Sequence, residues 1–224
     1  MSKFSVLLAL VMLLSANVNY GEAVAPAEPG RYYHDIREVV TDWQISLRYL
    51  KEGNKRYLAG ERIERGTYEA AREILKDGQK PFAVIVTCAD SRVAPEIYFD
   101  QRLGDIFVIR NAGNIADTTA LGSIEFAVKH LRAPLIVVVG HSACGAVAGA
   151  LAEGAEFSEN LQAVINKIKP GVENIEDLDK AIHANIRHTA KQIKANKIVT
   201  EVGATVLKAH YDIATGKVSF IGEK

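Results

Sequence analysis

Two cysteines, one tryptophan and no surplus of either charge are what this chain of 224 residues offers. A disulfide-built scaffold needs cysteines densely spaced along a short chain, so that class is excluded. Stability must come instead from a hydrophobic core, which a chain of this length can bury. Lys plus Arg equals Asp plus Glu at 27 each, and the charges are scattered. Nothing therefore recommends nucleic acid or an anionic membrane surface as a partner. Repeats and low-complexity tracts are missing too. The most apolar stretch, Phe4 to Leu14, is eleven residues long, well short of the ~20 that a membrane-spanning helix requires.

That stretch has another use. Met1-Ser2-Lys3 gives it a positive start, and small residues follow at Gly21, Ala23 and Ala25. The pattern is that of a cleaved secretory signal over residues 1–23, because Pro26 disfavours cleavage after Ala25. An uncleaved apolar anchor is the alternative. Residues 24–33, with Ala25-Pro26-Ala27-Glu28-Pro29-Gly30, read as a flexible linker, and 34–224 as one domain. The protein is expected to be exported, to the periplasm or outside the cell, and free of the membrane once cleaved.

Apolar periodicity organises the rest. From His34 to Ala59, Ile36, Val39, Val40, Trp43, Leu47 and Leu50 make a helical stripe ending near Gly60. A second helix spans Thr67 to Lys76. Phe82 to Thr87, Ile106 to Ile109 and Leu135 to Val139 are continuous apolar runs rich in β-branched residues, the pattern of strands buried on both faces of a parallel sheet. Between them lie a short turn or helix at Ala94 to Phe99 and a helix at Ala116 to Leu131. After them come helices at Ala143 to Leu151, Ser158 to Ile168 and Ile175 to Asn196. Ala204 to Ile213 and Lys217 to Ile221 close the chain as strands joined by Ala214-Thr215-Gly216. The fold class is α/β, a mostly parallel sheet flanked by helices with an antiparallel C-terminal edge strand.

The two cysteines fall at informative places. Cys88 follows the first apolar run in Cys88-Ala89-Asp90-Ser91-Arg92, and Cys144 follows the third in His141-Ser142-Ala143-Cys144-Gly145. In open α/β sheets the carboxyl ends of strands are where loops converge on a ligand. Two thiolates and one imidazole are three tetrahedral zinc ligands, the number of a catalytic site that keeps its fourth position open. Asp90 stands two residues from Cys88 and two before Arg92. An Arg-fixed carboxylate there either orients a water at the metal or swings onto the metal and blocks it. The glycines of 140–145 match neither a dinucleotide nor a phosphate loop.

Cys88-x-Asp90-x-Arg92 followed by His141-x-x-Cys144 resembles the signature of the β-class carbonic anhydrases, and the likeness runs from about Trp43 to the C-terminus. The resemblance implies that Cys88, His141 and Cys144 hold one zinc ion. It also implies that Asp90 and Arg92 form a catalytic dyad orienting a zinc-bound hydroxide, and that the reaction is reversible hydration of carbon dioxide to bicarbonate and a proton. Gln79 matches a glutamine that reaches the substrate pocket across a dimer interface, and Phe107 an apolar residue lining that pocket. Phe126 takes the place of a tyrosine found in plant-type members, and Arg110-Asn111-Ala112-Gly113-Asn114 is similar to a loop beside the site. With Val93 and Ala112, these phenylalanines would make the small dry pocket that an apolar gas needs. Ile85 stands where a bicarbonate-inhibited subgroup carries tryptophan, which implies an open site without that inhibitory pocket. The family's N-terminal helix lies on a partner subunit, so a homodimer, or a dimer of dimers, is expected.

Two other readings remain. One is a hydrolase of carbon disulfide or carbonyl sulfide on the same scaffold. The other is a non-catalytic zinc or redox protein, in which an oxidising compartment would favour a Cys88–Cys144 disulfide. His34, His130, His183, His188 and His210 lie in no recognisable motif, so none is assigned to proton export.

Overall fold

Uninterrupted apolar runs form the centre of the sheet in the computed structural model, which describes residues 34–64 and 66–222. The signal reading of 1–23 and the linker reading of 24–33 lie outside those residues. Strand β1 (Ala83–Cys88) is buried throughout. It is flanked by β2 (Ile106–Asn111) and by the equally buried β3 (Leu135–His141), both parallel to it. β4 (Thr205–Tyr211) continues parallel beside β3, and β5 (Val218–Phe220) closes the edge antiparallel to β4. The order β2-β1-β3-β4-β5 is the mostly parallel sheet with an antiparallel C-terminal edge that the pattern of runs implies.

The first helix departs from expectation. α1 spans Trp43–Ala59 rather than starting at His34. Asp42 stops it, because its carboxylate accepts from the Gln44 amide at 2.7 Å and caps the N-terminus. Upstream, the buried His34 ring bridges Asp105 Oδ1 (3.1 Å) and the Glu38 carbonyl (3.0 Å), which holds 34–42 against the core in non-helical form. The apolar residues that suggested a longer helix thus serve a loop. α1 also spends its buried face on its own chain: Asn54 Nδ2 donates to the Tyr98 and Gly216 carbonyls, and Asn54 Oδ1 accepts from the Val218 amide. Only its outer residues, such as Ile45 and Leu58, remain exposed.

α2 (Tyr68–Leu75) and the single turn α3 (Pro95–Tyr98) lie on either side of β1 in the chain, and α4 (Thr118–Lys129) begins at its Asp117 cap. After β3 come α5 (Gly145–Leu151) and α6 (Glu159–Val172). The long helix expected over Ile175 to Asn196 is α7 (Leu178–Lys194), and a further short helix, α8 (Lys197–Val202), follows it. Asn196 makes the break, since its side chain accepts from the Ile198 and Val199 amides and starts a new helix. α7 lies so close to β3 that a Cβ on Gly140 would come within 2.5 Å of Ile186 Cγ1. Among the described residues, no helix is long and apolar enough to cross a membrane.

Candidate metal centre

β1 and β3 are hydrogen-bonded neighbours in register Thr87 opposite Val139, so their last residues, Cys88 and His141, emerge together at the carboxyl edge. The chain then turns sharply through Ser142 and Ala143, the latter in the left-handed region at φ 54°. This turn brings Cys144 back beside them as the N-cap of α5. Residues 211–213 clamp it: the Ser142 amide donates to the Tyr211 carbonyl at 3.1 Å, and Ser142 Oγ accepts from the Ile213 amide at 3.0 Å.

The ligand atoms of Cys88, His141 and Cys144 all lie within 4.8 Å of one another, and all three residues are buried. Tetrahedral zinc with these donors needs separations of about 3.5–3.8 Å, which is close to the span of this cluster. His141 Nδ1 is engaged with the Ser142 carbonyl at 2.9 Å, while its Nε2 is buried with no hydrogen-bond partner. A buried ring nitrogen that is oriented by its sibling and left unpaired is the arrangement of a metal ligand. Both cysteines are free thiols. The Cys144 thiol stabilises a Cys88 thiolate, helped by His141 and the Gly113 amide against burial, and the Cys88 pKa falls to about 4. Cys144 moves the other way, because a second negative charge beside Cys88 and inside the protein is opposed. A cation among the three donors would remove that conflict, so the residues fit a zinc ion.

Asp90 and Arg92 sit at the rim. Arg92 Nε and Nη2 donate to the two Asp90 oxygens at 2.9 and 2.7 Å, and the Arg92 amide adds a third bond at 3.0 Å. These bonds hold the Asp90 carboxyl well below the usual range, despite some burial. Asp90 Oδ2 lies 4.0 Å from His141 Nε2, so the carboxylate faces the cluster while both its oxygens rest on the guanidinium.

Of the pocket residues, Val93 is fully buried, just after the dyad, and Ala112 opens the short turn after β2. Phe107 is half-buried on β2, and its ring centroid is 6.4 Å from that of Phe126, which is 48 % exposed on α4. Gln79 is exposed in the loop before β1, at the opposite end of that strand from Cys88, so it does not join its own chain's cluster.

Two residues of the Arg110–Asn114 loop, which the sequence marked only by its likeness to a loop beside the site, take supporting parts. Arg110 Nε donates to the Cys88 carbonyl at 3.1 Å and its Nη2 to the Asp90 carbonyl at 2.7 Å, bracing the loop that carries ligand and dyad. Asn111 closes the following loop by exchanging two bonds with the Ile115 backbone at 2.9 and 2.8 Å. The signal was the Arg110–Asn114 segment itself, whose hydrogen bonds a sequence does not display.

A family model described as carbonic anhydrase matches residues 83–218, which contain every one of the cluster and dyad positions. The chain belongs to the β-class carbonic anhydrases. A carbonic anhydrase of Mycolicibacterium smegmatis is 38 % identical over 183 residues, covering 75 % of this chain and 88 % of the relative. Carbonic anhydrase 2 of Mycobacterium tuberculosis is 51 % identical over 126 residues, 55 % of this chain and 61 % of the relative. Among solved structures, a tetrameric β-carbonic anhydrase of Sordaria macrospora aligns with a TM-score of 0.62 at 27 % identity, covering 81 % of this chain and 96 % of that one.

Proposed function

We propose that the protein hydrates carbon dioxide reversibly to bicarbonate and a proton at a zinc centre held by Cys88, His141 and Cys144. The observation that carries this reading is the position of Asp90: a carboxylate kept ionised by Arg92 and aimed at a buried donor set of two sulfurs and one imidazole. A zinc ion held there supplies a Lewis acid that brings the pKa of water from 15.7 to about 7. Asp90 accepts a hydrogen bond from the attacking water and fixes the direction of its lone pair. Arg92 keeps Asp90 off the metal position and in that role. Val93, Ala112, Phe107 and Phe126 supply apolar walls that favour an uncharged gas over water. Isoleucine rather than tryptophan at position 85, buried in β1, is the feature that supports an open site without an inhibitory bicarbonate pocket.

The pocket is completed by a second copy of the chain. β2 is an edge strand whose four apolar residues, Ile106 to Ile109, are only half-buried, an unusual state for an aggregation-prone edge. A partner docked there covers them, and its Gln79 is the residue that enters this site. The leader pattern supports export, with the enzyme working in the periplasm or outside the cell. Hydrolysis of carbon disulfide or carbonyl sulfide is not favoured, since the matched relatives are carbonic anhydrases.

Stopped-flow hydration of carbon dioxide by zinc-loaded protein is the test. Activity should fall by a factor on the order of 10²–10⁴ in Asp90→Ala with zinc retained, the range of a lost proton-handling group. Wild-type activity no higher than that of the variant would overturn the reading.

A further inference from the structure

Behind the ligands, the cluster leans on one buried amide. Asn185 is 1 % exposed on the inner stripe of α7, beside Ile182, Ile186 and Thr189. Its Nδ2 donates to the Gly113 carbonyl at 2.8 Å, and its Oδ1 has no hydrogen-bond partner. The Gly113 amide in turn donates to Cys88 Sγ at 3.4 Å.

Gly113 has little room to move. Its φ of 76° is left-handed, and a Cβ would lie 2.5 Å from Ile168 Cδ1 and 3.3 Å from Ala146 Cβ, so the turn is wedged between α5 and α6. Its amide and carbonyl flank one Cα, and gripping the carbonyl therefore limits the swing of the amide. A buried amide with one end unpaired is an unfavourable choice for a helix face that an aliphatic residue could fill. The retained function is the grip.

We propose that Asn185 is a positioning residue that holds the Gly113 amide on the Cys88 sulfur and so limits the charge this sulfur donates to a bound metal ion. An N–H donor draws electron density from a thiolate, and such outer partners tune the metal as well as orient its ligand. The inference rests on Cys88 being a ligand, and the experiment separates the two.

In cobalt-substituted wild-type protein, a sulfur-to-cobalt charge-transfer band is expected; its absence would remove the ligand reading itself. In Asn185→Leu and Asn185→Ser the band should move to longer wavelength, because a sulfur without its amide gives up charge more readily. Zinc affinity, measured by chelator competition, should weaken about 10- to 100-fold. Thr189→Val, one turn away and equally buried, should leave both unchanged. A folded Asn185 variant whose band stays at the wild-type wavelength overturns the proposal, even if its zinc affinity falls. So does a failure of both variants to fold, which would make the amide purely structural.

Discussion

At the scale of single residues, the centre depends on three donors that carry unequal burdens. Cys88 is held toward the thiolate, whereas Cys144, opposed by that neighbouring charge, would lose its proton only as a cation binds. Cys144→Ser replaces that sulfur with an alcohol that ionises far less readily, so the purified variant should contain well below one zinc per chain by elemental analysis. Stoichiometric metal in it would contradict the ligand assignment. A donor set with two thiolates pushes more charge onto the ion than three imidazoles do, so its water should ionise at a higher pH. Hydration rate should therefore rise with pH across neutrality, as a water that must lose a proton requires, and a flat profile would exclude this. Asp90 is not the source of that slope, since Arg92 keeps it ionised throughout. Gly113→Ala meets both a left-handed backbone and the Ile168 side chain, and should cost about 2–4 kcal/mol in urea unfolding.

At the scale of elements, the centre is a product of strand adjacency. The strands were legible because β1 and β3 are buried on both faces, which forces continuous β-branched runs and leaves their ends as the places for Cys88 and His141. The Cys88–His141–Cys144 cluster and the Asp90–Arg92 pair were legible because short spacing, Cys88 to Arg92 and His141 to Cys144, survives in one dimension. What could not be read was held by contacts between distant segments. Asn185 reaches Gly113 across 72 positions, and in sequence it is one polar residue in an apolar helical stripe. The start of α1 and the break between α7 and α8 were set by side chains, Asp42 and Asn196, whose capping competes with periodicity. Asn54 is a further case, tying α1 to α3 and the final hairpin with three buried bonds. Asn54→Ala should lower stability by about 2–4 kcal/mol, because buried backbone partners are left unpaired. A urea midpoint equal to wild type would show that these bonds are replaced.

At the scale of the whole molecule, the proposed completion of the site by a partner's Gln79 has a direct consequence. Gln79 stands at the wrong end of β1 to serve its own cluster, so Gln79→Ala and Asp90→Ala should complement each other. Mixed after unfolding and refolding together, the two weak variants should recover activity that neither shows alone, as one site of each mixed dimer holds both intact groups. No recovery, in a sample that mass spectrometry shows to be mixed, would place Gln79 outside the site. The clamp on the Ser142 turn concerns biosynthesis instead. Its two anchoring groups are the Tyr211 carbonyl and the Ile213 amide, the latter 71 positions after Ser142, so they leave the ribosome long after the turn they hold. A nascent chain that has passed Cys144 therefore still presents its sulfurs on an untethered bend, and the turn is expected to settle only once residues 211–213 have emerged.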